Sequence, residues 1–221
     1  MEKRKIIFGT YDTAVHGWTL TGWSLGAAEH KTQYIEKPNG DGSWDLSTAL
    51  SDGVLRYKDR PLTARLECSE GTRLTRETTI KHLINSLDGM KVEIKLPDDE
   101  THHVVGRLRI VREYNDLAHA AVTVTATCEP WKYADAETIV TVAAAAETQH
   151  VNLQNAGRRA VVPHINVTGG TVTLVYGTAD PLTMTDEGGQ WPSLLLTPGD
   201  HALAYSGTGT VTITYREAVL E

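Results

Sequence analysis

The chain has 221 residues, 40% of them hydrophobic, and a formal net charge of −7. That length fits one large or two small domains, each long enough to bury a core. The acidic balance argues against tight nucleic-acid binding, which needs clustered Lys and Arg, and no apolar stretch reaches the ~20 residues of a membrane-spanning helix.

The charge is uneven: residues 1–130 carry 17 basic and 19 acidic side chains, and residues 131–221 carry 4 and 9. Met1–Lys5 is charged, but the apolar run after it, Ile6-Ile7-Phe8, is too short for the core of an export signal. A reducing compartment is therefore expected, with Cys68 and Cys128 as free thiols. Both fall on the apolar side of alternating runs and read as small core residues.

In chain order, residues 6–25 read as two short strands around a loop at Tyr11–Gly17, with Trp18, Leu20 and Trp23 apolar. Lys31–Glu36 is an extended piece, and Pro38-Asn39-Gly40-Asp41-Gly42 stacks the residue types that punctuate turns. Asp45–Leu50 is expected to form a short turn of helix. Leu62–Cys68 alternates as a strand does. Ile80, Leu83, Ile84 and Leu87 lie at i, i+3, i+4 and i+7, one apolar stripe of a helix, with Thr75 as its N-cap and Gly89 just past its C-terminus. Met90–Leu96 and His102–Val111 are strands around the polar turn Pro97-Asp98-Asp99-Glu100, and Ala120–Cys128 is a further strand. Pro130-Trp131-Lys132 marks a boundary. Ile139-Val140-Thr141-Val142 begins a second domain of short strands separated by Thr, Gly and Pro, as in a sandwich. The expected fold is mostly β. An α+β N-terminal domain at residues 1–133 packs one helix on an antiparallel sheet, and a β-sandwich occupies residues 134–221.

Few patterns carry chemistry. Gly22-Trp23-Ser24-Leu25-Gly26 matches the nucleophile elbow, which needs a strand before it, a helix after it and an α/β sheet beneath it. The 21 residues before the motif are too few to build that sheet. His102-His103 suggests a metal, yet neighbours on a strand point to opposite faces. His150, His164 and His201 lack a carboxylate at ligand spacing, and no Gly-rich loop leads into a helix. No catalytic residue, metal site or cofactor is expected. Trp191, Tyr176 and Tyr205 could form a sugar-stacking platform, and Arg158-Arg159 reads as a partner contact.

The order of several segments resembles a known family. These are the strand pair at Gly17–Leu25, YIEKPNGDGSWDLS at Tyr34–Ser47, Val54–Arg60 leading into LTARLEC, and the helix ending Leu87-Asp88-Gly89. The hairpin MKVEIKLPDDETHHVVGRLRI and ATCEPWKY, closing at Tyr133, follow. Together they resemble the N-terminal domain of the distal tail proteins of long-tailed, non-contractile bacteriophages. NAGRRAVVPHINVTGGTVTL resembles the galectin-like sandwich that follows it in that family. Gly106-Arg107-Leu108 matches the family's hairpin return. His102-His103 falls where bulky strand residues are usual, which favours a structural role. The chain is too short for the carbohydrate-binding insertions of some relatives.

The resemblance implies a non-enzymatic virion protein of the tail tip, assembled in the bacterial cytoplasm. Six copies would form a ring between the tail tube protein and the tail-tip hub protein. N-terminal domains would build the ring, and DNA would pass through its slightly acidic lumen without specific binding. A closed homo-hexamer needs heterologous interfaces. C-terminal domains would project outward and hold receptor-binding or baseplate proteins through Arg158, Arg159 and Trp191, types that anchor interfaces when buried. No membrane is implied. The alternatives are a non-enzymatic carbohydrate-binding β-sandwich protein and a small esterase using Ser24.

Overall fold

The structure, a computed structural model, describes residues 4–49, 51 and 53–221. The chain is mostly β, and it divides into two compact units, Met1–Lys132 and Tyr133–Glu221.

In the first unit, β1 (Ile7–Phe8), β2 (Tyr11–Asp12) and β3 (Thr19–Leu25) open the fold. A separate hairpin, β4 (Tyr34–Glu36) and β5 (Ser43–Asp45), follows. Next come β6 (Arg60–Cys68), the helix α1 (Arg73–Leu87), β7 (Lys91–Lys95), β8 (His102–Asn115) and β9 (Ala120–Ala134). The main sheet has the strand order β2-β1-β7-β8-β9-β6-β3. Strand β6 alternates strictly: Leu62, Ala64, Leu66 and Cys68 are buried, while Thr63 and Arg65 face outward. The helix covers the buried side, with Ile80, Leu83 and Leu87 in the core cluster and Ile84 packed against it. Truncating a buried leucine costs about 2–5 kcal/mol. Leu83→Ala is therefore expected to lower the melting temperature of this unit by several degrees, and an unchanged melting curve would show that the stripe is not core.

Two expectations are corrected here. The helix begins a turn earlier than the sequence pattern shows. Its N-cap is Thr72, whose hydroxyl accepts the Thr75 N–H at 3.2 Å, so Thr75 is the third residue inside. Both threonines suit a cap in isolation, and the backbone turn at Gly71 decides between them. Asp45 is the last residue of a strand, not the start of a helical turn. Backbone bonds from Ala49 to Leu46 and from Ser51 to Thr48 make tight turns after it. Strand β9 runs on through Pro130-Trp131-Lys132 to Ala134, and the two units divide between Lys132 and Tyr133. Leu50, the end of that expected turn, and residues 1–3 of the charged opening segment lie outside the described residues.

Strand β8 lies beside β9 in the sheet, and Gly106 packs closely against Cys128. A Cβ on Gly106 would stand 2.6 Å from Cys128 Sγ and 3.2 Å from the Thr127 carbonyl. Overpacking of this kind typically costs about 1–3 kcal/mol. Gly106→Ala is expected to destabilise the unit, and Cys128→Ala in the same chain to recover part of the loss. Equal loss in the single and double variants would remove Sγ as the cause.

The second unit is a sandwich. One four-stranded antiparallel sheet orders β10 (Thr138–Ala143), β17 (Thr210–Tyr215), β12 (His164–Thr168) and β15 (Gly188–Gln190). The other orders β11 (Gln149–Asn155), β16 (Gly199–Gly207), β13 (Thr171–Val175) and β14 (Leu182–Thr185). Ile165, Val167, Val211 and Ile213 from the first meet Leu153, Val172, Leu174 and Leu203 from the second in one buried cluster. Period-two alternation places every second residue in that cluster and leaves Thr, Asn and His outside.

Candidate interaction surfaces

Strand β11 ends at Asn155, which is buried and organises the following loop. Its Nδ2 donates to the carbonyls of Arg159 at 2.8 Å and Leu196 at 2.9 Å, and its Oδ1 accepts the Gly157 N–H at 3.0 Å. The Arg158 N–H donates to the Ala218 carbonyl at 2.7 Å. The loop therefore holds two exposed arginines on a fixed backbone. They differ in their surroundings. Arg159 donates to the Tyr133 hydroxyl at 2.6 Å, with its guanidinium 5.4 Å from that ring's centroid, a cation–π arrangement. The Arg158 side chain has no hydrogen bond or ion pair among the described residues and lines a shallow depression with Pro198, Val219 and Leu220.

Trp191 does not join them. It is 8% exposed and belongs to the sandwich core, as Tyr205 does. The indole fills the end of the core, which removes it as a surface anchor. A sugar platform of Trp191, Tyr176 and Tyr205 fails for the same reason. Tyr176, only partly buried, shares a hydrogen bond of 2.7 Å with His201 Nδ1.

A second surface was only partly legible in the sequence. In the β4–β5 hairpin, Tyr34 pairs Asp45, Ile35 pairs Trp44 and Glu36 pairs Ser43. The stem is fastened by backbone bonds from Leu46 to Gln33, Lys31 to Arg56 and Lys58 to Glu29. Every residue of both strands is exposed, and the exposed set includes Ile35 at 45% and Trp44 at 51%, with Tyr34 and Leu46. Ile35, Trp44 and Leu46 share one face of this arm, because alternate residues of a strand point the same way. The signal in the sequence was the apolar residues on both sides of Pro38–Gly42. Reading Asp45 as helical hid the returning strand.

Ser24 lies inside β3 opposite Thr63, so the sharp strand-to-helix turn of a nucleophile elbow is missing. His102 approaches Asp99 at 3.3 Å, whereas His103 is buried with its Nε2 3.6 Å from a Glu93 oxygen. Among the described residues no group of three or more His, Cys, Asp or Glu side chains could hold a metal. Both cysteines are free and buried. Burial pushes the Cys128 thiol up to about 12, against the smaller opposing pull of Arg60. A thiol stays neutral below its pKa, so folded Cys128 is expected to resist a disulfide reagent at mildly alkaline pH and to react on unfolding. Fast labelling of the native protein at this residue would contradict that.

Among the described residues no helix is long and apolar enough to cross a membrane. No family model and no curated protein matches the chain. A solved structure does, and the likeness is one of fold. This is the crystal structure of the SPP1 Dit protein (gp 19.1), described as a paradigm of the hub adsorption apparatus in phages that infect Gram-positive bacteria. The TM-score is 0.68 at 15% identity, over 97% of this chain and 98% of that one. The likeness runs through both units, so the two proteins share a fold from end to end.

Proposed function

We propose that the chain is a structural, non-enzymatic component of a phage tail tip, a distal tail protein of the virion. The observation that carries this reading is the likeness to a tail hub protein over essentially the full length of both chains. Shared fold alone does not fix function, but agreement across two unlike domains in one order is far more restrictive than agreement in either. In this reading six copies close a ring between tail tube and tail-tip hub, with a lumen for DNA. Residues 1–133 form the ring, and residues 134–221 form an outward, galectin-like adaptor domain that holds receptor-binding or baseplate proteins. Assembly takes place in the bacterial cytoplasm.

The uncovered arm supports the ring. Large apolar side chains on a narrow hairpin are costly to leave in water, and a neighbouring copy is the partner always present. Arg158 and Arg159 are the adaptor contacts in this proposal, and Trp191 acts only through the core that supports their loop. The decisive experiment is the native mass of the purified chain, with images of the particle by negative stain. Six-fold rings are the expected result, and a strict monomer both alone and with tail tube protein would overturn the reading. Deleting residues 151–221 is expected to spare the ring and abolish capture of the receptor-binding protein.

A further inference from the structure

Of the six asparagines in the chain, Asn39 is the one followed by glycine. It stands at the tip of the arm, between β4 and β5. The Gly40 N–H reaches back to the Lys37 carbonyl at 3.4 Å, and the Lys37 N–H donates to the Gly42 carbonyl at 3.2 Å. Pro38 and Asn39 are the central residues of the first of these turns, and Asn39 has a φ of 59°. Proline followed by a residue of positive φ is the pattern of a type II turn, and asparagine tolerates that conformation better than most side chains do.

The other asparagines are held or shielded. Asn155 is buried and hydrogen-bonded through both its amide nitrogen and its oxygen. Asn115 donates to the Arg73 carbonyl at 3.2 Å and to Glu77 at 3.1 Å, and Asn152 donates to Asp200 at 3.4 Å. Asn85 lies inside α1, and Asn166 lies inside β12 before the β-branched Val167. Asn39 differs on each count. It is exposed and outside any strand, and its side chain has no hydrogen bond among the described residues. Gly40 after it has no side chain to shield its amide.

We propose that Asn39 is a site of spontaneous covalent modification, in which the backbone of the arm attacks the side-chain amide. The Gly40 nitrogen gives its proton to solvent base and bonds to Asn39 Cγ. The Cγ–Nδ2 bond breaks and ammonia leaves, which closes a succinimide ring. Water then opens the ring at one of its two carbonyls. Opening at Cγ gives aspartate. Opening at the main-chain carbonyl gives isoaspartate, in which the chain runs on through Cβ and Cγ. Nothing is oxidised or reduced, and water is the one co-reactant. The geometry favours the attack twice over. The absence of a Cβ leaves the nucleophile unhindered, and its hydrogen bond is longer than the usual ~2.7–3.2 Å, so little is lost when the proton leaves. Either product adds a negative charge to a tip that already carries Asp41. Isoaspartate also lengthens the main chain by a carbon inside the turn, which loosens the end of the Ile35–Trp44 ladder. Aged and fresh chains thus present different arms. The inference goes beyond the structural role and does not depend on ring assembly.

The test is incubation of the full chain at physiological temperature, at neutral and at mildly alkaline pH. Peptides from a digest are then read by mass, and isoaspartate is detected with an isoaspartate-specific methyltransferase. Exchange of amide for acid is expected at Asn39 ahead of every other asparagine, faster at the higher pH, and within a few-fold of the rate in a free peptide of residues 33–46. Asp41-Gly42 can isomerise by the same route without a change in mass, so the mass gain assigns the event to Asn39. Gly40→Ala is expected to slow the exchange about tenfold or more, because a side chain there crowds the attacking nitrogen. The added Cβ would meet Lys37 Cβ at 3.6 Å, an ordinary contact. Should that variant fail to fold, Asn39→Asp is expected to yield isoaspartate at the same position without release of ammonia. No exchange at Asn39 while the free peptide converts, equal exchange at the other asparagines, or a rate indifferent to Gly40→Ala would overturn the proposal. Native mass of the same samples separates it from the ring reading, since a chain that forms no ring and still converts at Asn39 supports the one and not the other.

Discussion

If the chain closes into the proposed ring, replacing Ile35 and Trp44 together by serine is expected to disperse it into monomers while leaving the melting temperature nearly unchanged. The two residues pair across the hairpin and share a face with Leu46, and nothing within the described first unit covers them. Their contribution to folding is therefore small, and surface changes of this kind usually stay within about ±0.5 kcal/mol. Their contribution to association is large if a neighbour buries them, since aromatic anchors at an interface centre are worth ~2 kcal/mol or more each. Losing about 2–4 kcal/mol per interface corresponds to a roughly thirtyfold to thousandfold weaker contact. A closed ring has as many such contacts as subunits, so it responds steeply. The measurement is native mass beside a thermal melt. An intact ring in the double variant would exclude the arm from the subunit interface. Loss of the ring with a large fall in melting temperature would mean that the arm is part of the fold.

Arg76→Ala is expected to destabilise the first unit as much as any single core truncation. Arg76 is 2% exposed although it carries a full charge. Its Nη1 donates to the Gly71 carbonyl at 2.7 Å, and its Nη2 donates to the carbonyls of Asp116 and Leu117, both at 3.0 Å. One side chain thus ties the start of α1 to the β8–β9 turn. Hydrogen bonds to charged groups contribute about 1.5–3 kcal/mol each. They are not additive, and a loss of roughly 3–5 kcal/mol is reasonable for the set. The turn is held from the other side by Asp116, whose Oδ1 accepts the N–H of His119 at 2.7 Å and of Ala118 at 2.8 Å. Those backbone bonds lower the Asp116 pKa, with Arg76 adding a smaller pull. A lowered carboxylate pKa means a contribution fully present above the ordinary Asp value and lost as pH falls through the folded value. Hydrogen exchange at Ala118 and His119 is expected to accelerate in that acid window, and at neutral pH in Arg76→Ala. Protection unchanged by either would show that the turn is held by strand pairing alone.

Much of this protein was legible one residue at a time. Alternation along Leu62–Cys68, the stripe Ile80, Leu83, Ile84 and Leu87, and the run of short Thr-rich strands after Val151 fixed a mostly β chain with one helix. These patterns are local. A strand with one face buried must alternate, and a helix on a sheet must carry a stripe, whatever covers them. The order of segments also pointed to the tail-protein architecture that the structural likeness supports. The tertiary structure decided what depends on groups far apart in sequence. Trp191 and the arm residue Trp44 are equally apolar, yet one closes the sandwich core and the other stands in solvent. Arg76 looks like any helical arginine until the β8–β9 turn, 40 residues away, brings its carbonyls to the guanidinium. Thr72 and Thr75 are equivalent as caps in the sequence, and only the approach of the chain at Gly71 selects between them. Ile35 and Trp44 meet because β5 pairs with β4. Side-chain type sets what a residue can bond to, but cross-strand register sets what it meets.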